Sequence, residues 1–560
     1  MLKFLAGAMA LLMASAACAA DDPQQAALRD EAFQAAQRGM ASTAAAALSQ
    51  LGARFSAGDG DLARAVRARQ DLEQHAAQLD RQVMLARAAP DDGQASRVAG
   101  LRAEGEAVRR KIEAADSELR RRFPDYAELA KPQPISIADV QKFLLDDEAL
   151  VLIYAARRDT FVWAATRDGV DWNRAPRSRD AMIAQVKNLR AGLNPRAYAL
   201  LRSGLRNFDE AQVEGADETG RMAFDRAGAF RLYEELLKPF EALIGSKRRL
   251  FTVVNAPFDS LPFAVLPTRP PEGPDADPAS LRATHWLIRR QSLVSLPSAS
   301  SLRALRAARN PRIASEPFRG YGAPVLGGGA PPLADTISVA RSGVAASLYR
   351  GGAVDRAAIS QLAPLPQTEG ELKALAVTLG AGPDSLRLGA AATVSAVLAD
   401  DLAKFRIIAF ATHGLLAGEL SGLQEPALVF TPPTAPSAQD NGLLTASQAA
   451  KLDLAADWVI LSACNTAAGD GAPGAEGFSG LARAFFYAGA KSLLVSHWPV
   501  RDDVAARLTT RMFASLRADD KLAKAEAHQR SVLELLDDLR DPSLAHPAVW
   551  APFVVVGEGR

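Results

Sequence analysis

The chain has 560 residues, 65 basic and 64 acidic, and that near-neutral balance gives no electrostatic footprint for nucleic acid. Its two cysteines, Cys18 and Cys464, exclude a disulfide scaffold, so packing alone must hold the protein together. A chain of this length can build several cores, with ~3 to 4 domains expected from size.

The amino terminus reads as a secretory signal over residues 1–20. Lys3 supplies the positive charge, and Phe4 to Ala14 is apolar but too short to cross a bilayer. The small residues Ala17-Cys18-Ala19-Ala20 then precede Asp21 as a cleavage site. A lipid anchor at Cys18 is the competing reading, although lipoprotein signals usually carry Leu three residues before the cysteine and this chain has Ser15 there. No later apolar run reaches membrane-spanning length, so the expected location is periplasmic or secreted, with no transmembrane segment.

Residues 21–57 are expected to contain one helix near Leu28 to Phe55, carrying Leu28, Phe33, Leu48 and Leu51. Residues 58–125 then show two apolar stripes that alternate steps of four and three. The first is Leu72, Ala76, Leu79, Val83 and Ala86; the second is Val98, Leu101, Gly105, Val108, Ile112, Ala115 and Leu119. Pro90-Asp91-Asp92-Gly93 between them is a turn signal, which predicts an antiparallel helical hairpin with a coiled-coil-like seam. Such helices suit a structural role or the docking of a protein partner.

After the stiff linker Lys131-Pro132-Gln133-Pro134, strands begin to alternate with helices. Across residues 135–335, Ala149 to Ala155 and Thr160 to Ala165 read as a hairpin. Helices follow near Asp180 to Ala191 and Met222 to Ile244, with further strands at Leu250 to Val254, Ser292 to Leu296 and Ala323 to Leu326. Gly327-Gly328-Gly329-Ala330-Pro331-Pro332 lacks the Gly-Lys-Ser/Thr of a phosphate loop and reads as an ordinary loop.

Residues 336–560 alternate more sharply. Strands are predicted at Phe405 to Ala411, Ala427 to Phe430, Trp458 to Ser462, Ser492 to Ser496 and Phe553 to Val556. Helices are predicted at Glu369 to Leu379, Thr393 to Ala403, Ala446 to Lys451 and Gly477 to Ala488, and across 503–537. Nearly continuous Val/Ile/Leu runs suit strands covered on both faces, so the fold class is α/β, a mostly parallel sheet flanked by helices.

In such sheets functional groups collect beyond the carboxyl ends of the strands. Two strand ends carry chemistry: Ala411-Thr412-His413-Gly414 and Ser462-Ala463-Cys464-Asn465. A free thiol with a pKa of ~8.5 is only a few per cent thiolate at neutral pH, so a nucleophilic Cys464 needs a base, and His413 can supply it. Gly414 leaves room for substrate, and the backbone N–H groups of Gly414 and Cys464 are candidate oxyanion donors. Substrate-cleft candidates are Trp498, Asp503 and Glu476; Asp502 and Asp503 also read as helix N-caps, and His497 is a rival base. No Cys-pair or His-x-x-x-His spacing points to a metal, and no cofactor is expected.

Together Ala411-Thr412-His413-Gly414 and Leu461-Ser462-Ala463-Cys464-Asn465-Thr466 resemble the CHAT domain, a caspase-like group of cysteine peptidases related to caspases and separases. Leu261-Pro262-Phe263, Leu365-Pro366-Gln367-Thr368-Glu369, Gly442-Leu443-Leu444-Thr445-Ala446, Ala484-Phe485-Phe486-Tyr487-Ala488-Gly489-Ala490 and Ser496-His497-Trp498-Pro499-Val500 extend the match. The resemblance implies a catalytic dyad of His413 and Cys464, and a caspase-like catalytic half over 336–560. It also implies a degenerate caspase-like half over 135–335. The expected function is an exported endopeptidase acting on a protein or peptide. The alternative is a noncatalytic or regulatory scaffold that docks a partner through the helical hairpin, and a nonproteolytic thiol hydrolase or acyltransferase would share the dyad.

Overall fold

The computed structural model describes residues 23–40, 94–122, 134–193, 223–307, 314–327, 367–415, 426–435, 440–462, 480–498 and 500–560, with scattered positions in 65–86 and 349–365 and at 437. Helices α1 (Pro23–Gly39), α2 (Gln94–Arg122) and α3 (Ile137–Phe143) come first. Strands β1 (Glu148–Ala155), β2 (Thr160–Thr166) and β3 (Val170–Ala175) form an antiparallel meander. Helices α4 (Arg179–Ala191) and α5 (Arg226–Leu236) lead to β4 (Arg249–Val254) and β5 (Ser292–Ser295). Helix α6 (Ala299–Ala307), strand β6 (Glu316–Gly322) and a small hairpin of β7 (Tyr349–Arg350) and β8 (Ala353–Val354) follow.

Next come α7 (Thr368–Leu379), β9 (Leu386–Leu388) and β10 (Phe405–Ala411). A separate three-stranded sheet holds β11 (Gly414–Leu415), β12 (Ala427–Val429) and β13 (Leu443–Thr445). The chain then runs through β14 (Trp458–Ser462), α8 (Gly480–Ala488), β15 (Ser492–Ser496), α9 (Asp502–Ala518), α10 (Lys524–Leu536) and β16 (Phe553–Gly557).

Among the described residues the main sheet has eleven strands, in the order β3-β2-β1-β4-β5-β16-β15-β14-β10-β6-β9. Strands β1, β4, β5 and β16 run parallel to one another, and so do β15, β14, β10, β6 and β9. The two sets run in opposite directions because β16 pairs antiparallel with β15. The carboxyl ends of β10 and β14 therefore lie at one edge of the sheet, and those of β4 and β5 at the other.

Expected and observed strands differ in instructive places. The strand expected at Ala323 to Leu326 is instead β6, at Glu316–Gly322, and it pairs with β10 although it lies within the residues assigned above to the first half. Strand Ala427–Val429 sits in the small sheet rather than the main one. Strands β3 and β9, not predicted, extend the two edges of the main sheet.

A continuous core runs through both halves and takes in α1, where Phe33 packs edge-on against Trp163 with ring centroids 6.0 Å apart. Gln37 of α1 exchanges both amide hydrogen bonds with the Ile135 backbone, at 2.9 and 3.1 Å. Asp30 accepts the Ile137 N–H at 2.6 Å, so α1 helps satisfy the open amino end of α3. Its other predicted anchors, Leu48 and Leu51, lie outside the described residues, while Leu28 is exposed. Further along, the described positions among 65–86 are helical, and Ala76 and Leu79 pack against Val108 of α2 in one cluster, as the two apolar stripes require. The turn at Pro90 to Gly93, like the signal region, lies outside the described residues.

Candidate functional site

Strand β10 is an apolar run buried at every position except Arg406, which fixes it in the middle of the second half-sheet. Its exit is pinned by β12. The Thr412 hydroxyl donates to the Val429 carbonyl, and the Val429 N–H donates to the His413 carbonyl at 2.9 Å. That bond flanks the Gly414–Leu428 pair and makes it a non-hydrogen-bonded pair of the antiparallel ladder. The Gly414 N–H is consequently not used by β12. The His413 side chain is half-buried, and the backbone on either side of it is buried.

Strand β14 lies beside β10 in parallel register, with Ala411 opposite Ser462. His413 follows Ala411 by two residues, and Cys464 follows Ser462 by two residues. Cys464, Asn465 and the Gly469 to Gly474 loop lie outside the described residues, as does Glu476.

A carboxylate not singled out from the sequence stands at the same edge. Glu371, in the first turn of α7, is 2% exposed, and its Oε2 accepts the Ser462 hydroxyl at 3.2 Å. Helix α7 is held there by Thr368, whose hydroxyl donates to the Leu365 carbonyl and accepts the Ala323 N–H just past β6. Packing is close: a Cβ on Gly322 would meet Leu372 at 2.5 Å and the Ala411 carbonyl at 2.8 Å. The signal for Glu371 was available, because Thr368, Glu371, Leu372 and Leu375 share one helical face and all are buried.

The other candidates sit elsewhere. Trp498 is fully enclosed, so it does not wall an open cleft; its indole N–H donates to the Ala548 carbonyl at 2.8 Å, and the Arg190 guanidinium covers its ring at 5.1 Å. Asp503 is exposed and forks onto Arg501, which also reaches Asp541 and Ser543. Asp502 and Asp503 are not N-caps. Arg501 occupies that position without a side-chain cap bond, and both residues fall inside the first turn of α9, where the Asp503 charge favours the helix dipole.

His497 is not placed as a rival base. Although it follows β15, it lines a small cavity of ≈ 40 Å³ shared with Thr252, Asp259, Ser295, His528 and Phe553, on the side of the first half-sheet. Burial, with the nearby Arg190 charge, lowers the His497 pKa to about 3, and burial lowers that of His528 to about 4. Both rings are therefore buried neutral, whereas in the unfolded chain they titrate near 6.5. Their contribution to stability is complete above pH 6.5 and is lost as the pH falls toward 4 and below. Urea midpoints measured from pH 8 to pH 4 should fall over that window, and less steeply in His528→Phe; equal slopes would contradict the burial assignment.

Among the described residues no cluster of three or more His, Cys, Asp or Glu side chains is arranged to hold a metal ion. No described helix is long and apolar enough to cross a membrane.

Residues 226–558 match the family model described as the CHAT domain. Tetratricopeptide repeat protein 28 of Mus musculus is 27% identical over 224 residues, which span 35% of this chain and 9% of that protein. Among solved structures, the Saccharomyces cerevisiae separase in its complex with securin aligns with a TM-score of 0.39 at 12% identity, over 78% of this chain and 32% of that one. The Arg-specific cysteine proteinase gingipain R aligns with a TM-score of 0.32 at 9% identity, over 62% of this chain and 69% of that one.

Proposed function

The chain belongs to the CHAT domain family, and from that membership we propose that it is a cysteine endopeptidase using His413 and Cys464 as its dyad. One observation carries the reading. The Ala411–Ser462 register pair sets the two chain segments off from adjoining parallel strands, and His413 and Cys464 follow at the same step. Residues at the same sequence step past neighbouring parallel strands suit a nucleophile and its base.

In the proposed reaction the Cys464 sulfur attacks the scissile carbonyl while its proton passes to the His413 imidazole. The tetrahedral oxyanion is held by the backbone N–H groups of Gly414 and Cys464, the former left unused by the β11–β12 ladder. The imidazolium then protonates the leaving amine, and water hydrolyses the thioester with His413 as base. Export through the segment 1–20, to the periplasm or beyond, belongs to the same proposal, with lipid attachment at Cys18 as its variant.

A second reading, a noncatalytic scaffold, draws on the paired helices of 65–122 and on the likeness to a protein named for tetratricopeptide repeats. Incubating a peptide library with the full chain and with Cys464→Ala separates the two. The peptidase reading expects cleavage by the former alone, abolished by prior alkylation of Cys464. Equal cleavage by both proteins, or none by either, would sink it.

A further inference from the structure

Two buried histidines line the small cavity beside the first half-sheet, and their ring nitrogens lack the partners that burial demands. The ≈ 40 Å³ space is bounded by Thr252 of β4, Ser295 of β5, Asp259, His497 past β15, His528 of α10 and Phe553 of β16. Segments far apart in sequence therefore meet around it. The His497 backbone is engaged on both sides: its N–H donates to the Pro552 carbonyl at 2.9 Å, and its carbonyl accepts from Arg190 at 3.2 Å. By contrast, Nδ1 of His497 and both ring nitrogens of His528 have no hydrogen-bond partner among the described residues, although the two residues are only 3% and 4% exposed. The Phe553 backbone lies near enough to His528 to oppose part of the effect of burial on its pKa, but without hydrogen-bond geometry.

Buried polar atoms in native proteins are answered by protein groups or by ordered water, because leaving one unmade costs more than a made bond returns. The rings also define the kind of partner that fits. Burial holds both neutral at pH 7, and a neutral imidazole carries one N–H donor and one bare acceptor nitrogen. His528 thus offers one of each. A metal cation cannot accept a hydrogen bond and a simple anion cannot donate one, whereas water does both. Asp259, whose pKa burial raises to about 6, is ionised at pH 7 and adds an acceptor. The size agrees: a water molecule needs about 10–15 Å³ of such space, so the cavity has room for about one to three. Its remaining walls, among them Val254, Phe258 and Leu293, are apolar and supply no rival side-chain partner.

We propose that this cavity is a hydration site of the fold, in which about one to three water molecules bridge His497, His528 and Asp259 and so join the exit of β15 and helix α10 to the first half-sheet. Waters of this kind are structural: each makes two to four hydrogen bonds, about as many as this site offers, and is costly to remove. The site is independent of the dyad and of peptidase activity.

A crystal structure of the full chain, grown near neutral pH and refined at a resolution that shows ordered water, is the direct test. Water should lie in the cavity within hydrogen-bond distance of a His497 or His528 ring nitrogen. A dry cavity, or a metal ion or other solute in its place, overturns the proposal. In solution, magnetic relaxation dispersion of the water signal counts long-lived internal waters. His528→Phe removes both ring nitrogens and fills space, and it should lower that count by about one or more. His285→Phe, at an exposed histidine, should leave it unchanged. Equal counts in His528→Phe and wild type overturn the proposal; if His528→Phe does not fold, the wild-type crystal structure decides alone.

Discussion

Replacing His413 by Ala is expected to lower kcat at pH 7 by roughly 10²- to 10⁴-fold, the usual contribution of a positioned general base. The backbone at this position is held independently of the side chain. The His413 carbonyl accepts the Val429 N–H, and the preceding Thr412 hydroxyl is tied to the Val429 carbonyl, so truncating the imidazole leaves both anchors in place. The residual activity should rise with pH, because a thiol without a partner ionises near ~8.5 and hydroxide then does what the imidazole did. A profile of kcat/KM from pH 6 to 10 checks this. A variant as active as wild type at pH 7 would remove His413 from the mechanism. His497→Ala, at a residue lining the cavity on the first half-sheet, should leave the profile unshifted.

The second large effect concerns stability. Glu148 is fully buried at the start of β1, opposite Arg249 of β4. Arg249 donates to its Oε1 at 2.6 Å, Arg306 of α6 donates to both carboxylate oxygens at 2.7 Å, and the Leu145 N–H adds a bond at 2.9 Å. Arg249 also reaches Glu526 of α10 at 3.3 Å, so the cluster joins two strands of the first half-sheet to helices from distant parts of the chain. Glu148→Ala leaves two largely buried guanidinium groups without their shared acceptor and should cost about 3–5 kcal/mol. Replacing Glu148, Arg249 and Arg306 together by Leu or Met of similar volume should cost less than Glu148→Ala, because the two buried guanidinium charges go with the carboxylate and only the part-exposed Glu526 loses its Arg249 contact. Urea unfolding followed by tryptophan fluorescence measures both, and a loss under about 1 kcal/mol for Glu148→Ala would show that the cluster is not coupled as drawn.

The same cluster has a pH signature. Burial by itself would raise the Glu148 pKa, but hydrogen bonding and charge from Arg306, with the Leu145 N–H and Arg249, hold it below the ordinary value of 4.5. A depressed carboxylate contributes stability that is present above its unfolded pKa and is lost as the pH falls through the folded one. Acid unfolding below pH 4.5 should therefore be steeper in wild type than in the apolar triple variant.

Much of the second half-sheet was legible in the sequence because its strands are unbroken apolar runs with polar ends. Phe405–Ala411, Trp458–Ser462 and Ser492–Ser496 have the bounds their hydrophobic runs predict. Strand β6 was misplaced because Glu316-Pro317-Phe318-Arg319-Gly320-Tyr321-Gly322 has the composition of a loop. Its glycines answer to tertiary neighbours: a Cβ on Gly320 would meet Leu386 at 2.9 Å, and one on Gly322 would meet Leu372 and the Ala411 carbonyl. Strand β3, Val-Asp-Trp-Asn-Arg-Ala, is half exposed at the sheet edge and carries no apolar run to betray it.

The strand-end placement of His413 was readable, since an apolar run ending on His-Gly puts it there. The Glu371–Ser462 bond was not, because a contact across 91 residues depends on where α7 docks. Trp498 and Asp503 were assigned to a cleft from their proximity to a strand end. That proximity said nothing of the Ala548 carbonyl, Arg190 or Arg501 that engage them.

Strand β16 has a consequence for how the molecule is made. It is the last sheet strand in chain order, yet it lies in the middle of the main sheet, with Val556 paired to Ser295 on one side and the 553–557 segment paired to β15 on the other. Until residues 553–557 arrive, β5 and β15 are open edges facing one another, able to pair with any extended segment nearby. Contacts between residues so far apart in sequence form slowly, so the two half-sheets stay unjoined until residues 553–557 are available to pair. In that interval the open edges are exposed to aggregation, and the arrival of β16 closes the gap between them.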